Sequence, residues 1–198
     1  GGVGRSAARH GGEHLMDTTI LKTLLDRVPP VIRAQLDAKA PHSATSRVWA
    51  IVGGACRDTL LGVEPRDLDI IVWLRPEELE EAFPMHPIQN ADREEGDRER
   101  DAEGDYTHVT VKAAGVDIWS RWEMPGPWPK MWNFDYTVNC IAVYSDGTVV
   151  CHPTAMEDLE ARRLVPERGG LYTPGREAHM LAKGFTLCIP AADTVSLW

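Results

Sequence analysis

Val48 to Trp73 read VWAIVGGACRDTLLGVEPRDLDIIVW, and the fold class turns on this stretch. Val48–Val52 is a short apolar run that reads as a buried strand and ends at Gly53-Gly54, where the chain turns. The pattern from Cys56 to Leu61 is helical and stops at Gly62. A second run, β-branched and nearly all apolar, extends from Asp67 to Leu74 and predicts another buried strand. Strand, glycine turn, helix and strand predict an α/β (α+β) domain, a small mixed sheet flanked by helices.

Successive side chains of a strand point to opposite faces, so Asp67 and Asp69 project from the same one. Two carboxylates placed so repel each other, and a hard divalent cation such as magnesium relieves the repulsion. A lone Asp-x-Asp is also a common solvated strand start. Gly53 and Gly54 lack a β-carbon, so phosphate oxygens can approach their amides while the following helix turns its positive end to the same anion. A tight structural turn asks for the same glycines. Arg57 is placed to reach such phosphates, and Asp58 to tether Arg57 or cap the helix.

The chain has 198 residues, 43% hydrophobic and 26% charged, which suits one soluble domain with its own core. No apolar run approaches the roughly 20 residues of a membrane span, so no membrane partner is expected. Cys56, Cys140, Cys151 and Cys188 show no CxxC spacing, which speaks against a zinc ribbon or a disulfide framework and for a reduced, cytoplasmic protein. Residues 1–15 hold five glycines without periodicity and read as a tag-like or disordered segment. The formal charge is −9, with eight acidic and three basic residues between 91 and 105. Residues 161–183 reverse the sign, with five basic against two acidic, and a polyanion is expected there if anywhere. An ordinary solvated surface accounts for the same charges.

Asp17 is placed to cap a helix carrying Ile20, Leu21, Leu24 and Leu25, which Pro29-Pro30 break before a second helical piece at Val31–Ala38. Pro76–Ala82 predicts a short helix, and Pro84 to Gly104 a long polar segment without structure of its own. Thr107–Ala113 and Val116–Trp119 predict a hairpin about Gly115, and Tyr136–Tyr144 with Thr148–Cys151 a second. Thr154 is a candidate cap for a helix over Met156–Arg163, and Arg176–Leu187 is the last helical pattern.

Gly53-Gly54-Ala55-Cys56-Arg57-Asp58, then Leu60-Leu61-Gly62, then Asp67-x-Asp69, resemble the head domain of the CCA-adding tRNA nucleotidyltransferases and bacterial poly(A) polymerases. The resemblance implies a DNA polymerase β-like nucleotidyltransferase fold. It implies Asp117, in Ala114-Gly115-Val116-Asp117, as the third carboxylate of a site holding two magnesium ions, with manganese as a substitute. Asn133 to Ala142 resemble the family's RRDFTINALA block. Asp135, Thr137 and Asn139 match it, which implies nucleotide contacts for Asp135 and Asn139. Asn133 and Phe134 stand where the family has arginines, with Lys130 and Arg121 as other sources of charge. Asn139 reads equally as a buried amide satisfying backbone groups. Met156–Leu164 resemble the GGxxDLxxRxLR segment without its glycines, and Arg176–Phe185 the arginine-containing helix after the head. No base-reading EDxxR pattern is found. Trp119, Trp122, Trp128 and Trp132 read as packing around a proline-rich loop, with stacking on a base as the alternative.

The resemblance covers residues 46–187, which implies a head domain over 16–165, a short helical extension over 166–198, and none of the body that holds tRNA. It implies transfer of a nucleoside monophosphate from a triphosphate to an acceptor hydroxyl, at an RNA or tRNA-like 3′ end, with release of pyrophosphate. Catalysis is expected from Asp67, Asp69 and Asp117, and nucleotide binding from Gly53, Gly54, Arg57, Asp135 and Asn139. Transfer to a protein or small molecule, and a degenerate head that only binds nucleotide or RNA, are the alternatives. Which triphosphate is used and the oligomeric state are open.

Overall fold

Apolar residues fill both sides of the central strands, but the two sides differ in what covers them. The computed structural model describes residues 16–38, 49–86, 88–90, 107–111, 115–120, 134–167 and 174–189. In order these form α1 (Thr23–Arg27), α2 (Pro30–Ala38), β1 (Trp49–Val52), α3 (Gly54–Leu60), β2 (Leu68–Val72), α4 (Pro76–Ala82) and β3 (Ile88–Asn90). There follow β4 (Thr107–Val111), β5 (Val116–Ser120), β6 (Ile141–Tyr144), β7 (Val149–Cys151), α5 (Ala155–Glu160), β8 (Arg163–Leu164), α6 (Pro174–Ala182) and β9 (Thr186–Leu187). Residues 1–15, the acidic run 91–105, Arg121, Lys130, Asn133 and three of the clustered tryptophans (Trp122, Trp128, Trp132) lie outside the described residues.

Seven strands make one mixed sheet in the order β3-β4-β5-β2-β1-β6-β7, with β2 and β5 parallel and the other pairs antiparallel. The helices cover one face. Trp49 and Ile51 of β1, Ile70 and Val72 of β2, Ile118 of β5 and Val143 of β6 pack there against Leu24, Ile32, Leu36, Cys56, Leu79 and Phe83. Removing each such side chain from water stabilises the fold by roughly 1.5–3 kcal/mol, which makes this layer the main core. The alternate residues, Ala50, Val52, Ile71, Ala142 and Tyr144, form a smaller cluster on the other face, with Trp73, Trp119 and Phe134 only partly buried against it. Trp73 stacks on Tyr144 at 5.9 Å. Asp69 and Asp117 belong to this thinly covered face.

Several boundaries depart from the sequence expectation. The first helix opens as a 3-10 turn, Thr18–Lys22, which Asp17 caps through Thr19 N, and Ile20 is exposed while Leu21 is buried. Strand β2 begins at Leu68, leaving Asp67 exposed one residue before it. Within the polar segment after Pro84, Ile88–Asn90 pairs with β4 as an edge strand. Tyr136–Cys140 is not strand: Thr137–Asn139 makes a 3-10 turn with Cys140 N bonded to Thr137 O at 3.0 Å, and β6 starts at Ile141. Here the Thr137 and Asn139 side chains have buried polar partners, which a straight strand would not let them all reach. Thr154 precedes α5 but gives its hydroxyl to Asp158 rather than capping the helix. That helix ends at Glu160, and Arg162 (φ 54°) redirects the chain into β8. The last helix ends at Ala182, and Phe185 returns to the main core while β9 pairs with β8.

All four cysteines are free thiols. No helix among the described residues is long and apolar enough to cross a membrane.

Candidate active site

Register brings the carboxylates together. Parallel pairing of β2 with β5 sets Asp69 directly opposite Asp117, with Val52 as the neighbour of Asp69 on β1. Paired residues on adjacent strands share a face and lie about 5 Å apart. Both side chains are half-buried. Burial first, then repulsion from Asp67 and from Asp117, pushes the Asp69 carboxyl up from 3.8 to about 6, against smaller lowering by Arg176 and by a hydrogen bond from Trp119. Asp67, one residue before β2, lies close enough to repel Asp69, and the register adds Asp117.

Whether these residues suit magnesium divides into chemistry and position. In chemistry they do: the donors are all carboxylate oxygens, and their mutual repulsion is what a hard cation would cancel. In position, Asp69 and Asp117 are register partners while Asp67 stands in solvent at the strand's entry. Among the described residues no three His, Cys, Asp or Glu side chains are gathered closely enough to hold a metal ion as they stand.

Beside Asp69 lies an open cleft of about 270 Å³. Gly54 and Arg57 of α3, Asp69, Phe134, Asp135 and Asn139 line it, joined by Gly175, Arg176, His179 and Met180 of α6. Gly53, Asp67 and Asp117 are not part of its wall. Gly53 instead terminates β1 at φ 72° beneath the Phe134 ring, and a β-carbon there would come within 3.0 Å of Phe134 Cε1. Gly54 makes room for a side chain of its own helix, since Arg57 folds back over it, with Nη2 only 3.5 Å from where a β-carbon would stand. Gly53→Ala should therefore cost about 2–3 kcal/mol in a denaturant melt, against about 1 kcal/mol for Gly62→Ala, where φ is also positive but the space is open. Equal losses at the two positions would show that the Phe134 contact yields.

Arg57 is only 6% exposed, and its guanidinium is fixed on two sides. Its Nε and Nη2 donate to Asp58 Oδ1 at 2.8 and 2.7 Å, and its Nη1 donates to Asn139 Oδ1 at 2.6 Å. Asn139 Nδ2 in turn donates to Asp135 Oδ1 at 2.6 Å, which also accepts from Tyr136 N. Asn139 is thus a buried amide that joins the two matched sequence blocks, and its partners are side chains. Asp58 tethers Arg57.

The helix α6, which the sequence marks as resembling the arginine-containing helix after the head, also contributes to the cleft, although no site residue is expected on it. Arg176 Nη1 faces Asp135 Oδ2 at 3.9 Å, and Lys183 Nζ donates to Asp58 Oδ2 at 2.9 Å. Arg176, His179 and Lys183 recur at helical spacing, which is the signal that could have marked this face. The C-terminal basic segment largely engages the protein itself: Arg163 pairs with Asp158, and Arg162 lies over the Phe185 ring at 5.3 Å.

Residues 49–115 match the Poly A polymerase head domain family. Solved structures of similar fold include the CCA-adding enzyme of Thermotoga maritima complexed with tRNA, at TM-score 0.56 and 20% identity over 88% of this chain and 43% of that one. An apo CCA-adding enzyme gives TM-score 0.53 at 19% identity over 88% and 43%. A CCA-adding enzyme in complex with ATP gives 0.50 at 23% identity over 74% and 35%. The chain therefore spans under half the length of these structures, and the likeness is one of fold. The family match takes in the glycine turn and Asp69 and stops two residues before Asp117, so residues 49–115 resemble a Poly A polymerase head domain and the chain shares its fold with the CCA-adding enzymes.

Proposed function

We propose that the protein transfers a nucleoside monophosphate from a nucleoside triphosphate to the 3′ hydroxyl of an RNA, with a tRNA-like end as the acceptor. The observation that carries this reading is the pairing of Asp69 with Asp117 at the edge of a cleft that also contains Gly54 and Arg57. Negative charge in the sheet and a fixed guanidinium in the cleft are the two halves of a phosphoryl-transfer site. The acceptor hydroxyl loses its proton to solvent as its oxygen bonds to the α-phosphorus, the bond from that phosphorus to the bridging oxygen breaks, and pyrophosphate leaves. Arg57, held by Asp58 and Asn139, faces the polyphosphate; Arg176 and His179 line the same cleft. Asp67, Asp69 and Asp117 would hold magnesium, which supplies charge compensation at the phosphate and a more acidic acceptor hydroxyl. The working unit is the head over 16–165 together with the extension over 166–198, because α6 contributes cleft residues. Relatives solved with tRNA and with ATP support the choice of partners.

Incubation with each α-labelled triphosphate, magnesium and total tRNA tests this. Label is expected in RNA with wild type and not with Asp117→Asn. Label on protein or a small molecule instead would keep the chemistry and overturn the acceptor. Absence of pyrophosphate release with every triphosphate would overturn the reaction.

A further inference from the structure

Arg57 and Asp58 are neighbours, both buried, and doubly bonded to each other. Such a pair is nearly neutral when seen from a few ångströms away, so by itself it attracts an anion weakly. Lys183, 125 residues further along, changes that balance by placing Nζ 3.2 Å from Oδ1 and 2.9 Å from Oδ2 of the same carboxylate. Arg57, Asp58 and Lys183 together then carry one positive charge, and the guanidinium is the member of the three that lines the cleft. Around them, Arg176 faces Asp135, and Asp69 adds a further negative charge. Three cations oppose three carboxylates in the cleft and its support, so removing Lys183 would leave the balance negative. That sign weakens the attraction of the cleft for a polyphosphate.

We infer that Lys183 is a positioning residue for anion recognition: by engaging Asp58 from the end of α6, it leaves the Arg57 guanidinium with net charge to offer to a phosphate. The inference rests on the nucleotide reading of the cleft given above, and its consequence reaches further. The same contact also ties the end of α6 to α3. The other connection, Arg176–Asp135–Asn139–Arg57, returns to the same guanidinium from the helix's beginning. Anion affinity is thereby linked to the seating of α6.

Binding of inorganic tripolyphosphate, followed by calorimetry on the full chain without added metal, tests the charge argument directly. Lys183→Met should weaken it about tenfold, the effect of one unit charge at short range. Lys183→Gln, which can still hydrogen-bond Asp58, should be as weak, and Lys183→Arg should bind as wild type does. The decisive variant is Lys183→Met combined with Asp58→Asn: it restores the net charge on Arg57, and should recover affinity to within about threefold of wild type. In transfer assays Lys183→Met should raise KM for the triphosphate with kcat changed little. Unaltered binding in Lys183→Met, no binding by wild type, or a double variant as weak as the single one would each overturn the inference. If the binding series holds while no variant transfers nucleotide, the transfer reading fails and the anion site stands. If transfer proceeds with affinity unchanged in Lys183→Met, the reverse applies.

Discussion

Asp69→Asn should abolish nucleotide transfer, by at least about a thousandfold, while making the protein more stable at neutral pH. The two effects have one cause. The folded chain holds the Asp69 carboxyl at about 6 against an ordinary 3.8, because burial and the neighbouring Asp67 and Asp117 disfavour its charge. Folding at neutral pH therefore costs the difference, on the order of 1–3 kcal/mol once partial exposure is allowed for. The uncharged isostere removes that cost and can still accept from Trp119. The folded-state value lies above the unfolded one, so Asp69 contributes stability below about pH 4, and that contribution is lost as pH rises to about 6. Wild type and variant should accordingly unfold alike near pH 3.5 and diverge between pH 4 and 6. Above that, the variant should melt a few degrees higher. Millimolar magnesium should raise the wild-type melting temperature and leave that of Asp69→Asn unmoved. A variant less stable than wild type at pH 7.5 would show that the three carboxylates do not oppose one another in solution. Residues kept at the expense of stability are typical of sites selected for chemistry.

The largest loss of stability is expected away from the cleft, at Asp158. Its carboxylate is 2% exposed and accepts from Thr137 Oγ at 2.8 Å, Thr154 Oγ at 2.7 Å and Arg163 Nε at 3.0 Å, with Arg163 Nη2 at 2.9 Å. Asp158→Ala leaves those donors without their acceptor and should cost about 3–5 kcal/mol, read as a shift in the urea midpoint at unchanged slope. Asp158→Asn, which can replace part of the set, should cost about half as much. The change should also reach the cleft. Thr137 begins the 3-10 turn that ends in Asn139, so loosening it frees the acceptor that holds Arg57 Nη1. In any folded Asp158→Asn protein, KM for the triphosphate should rise more than kcat falls. A loss below about 1 kcal/mol for the alanine variant would mean that water replaces the carboxylate at little cost.

Local chemistry alone makes much of the first half of the chain legible. Gly53-Gly54 reads as a turn because an apolar strand pattern ends there and a helical one begins. Alternation along a strand predicts Asp67 and Asp69 on one side, and the structure starts β2 only at Leu68, so the rule reaches Asp69 and stops short of Asp67. The 76–82 helix is legible to the residue, from Pro76 at its first position. The segment Tyr136–Cys140 is not. Its composition is that of a strand, yet Thr137 bonds Asp158 and Asn139 bonds Arg57 and Asp135, and these side-chain partners outweigh backbone preference. Asp117 gives no local sign of its role and is marked only by a family likeness. The parallel register of β2 on β5 is what sets it against Asp69.

Sequence by itself determined the strand–turn–helix–strand unit and the absence of a metal-binding cysteine pattern, since each depends on neighbours within a few residues. Tertiary structure alone decided which remote groups meet there: Arg57 with Asn139, 82 residues apart, Lys183 with Asp58, and α6 with the cleft. Those meetings depend on strand register and on buried charges finding partners across the whole chain. Both are settled by the closing of the core, and the helical spacing of Arg176, His179 and Lys183 marks a face without naming the partners it meets.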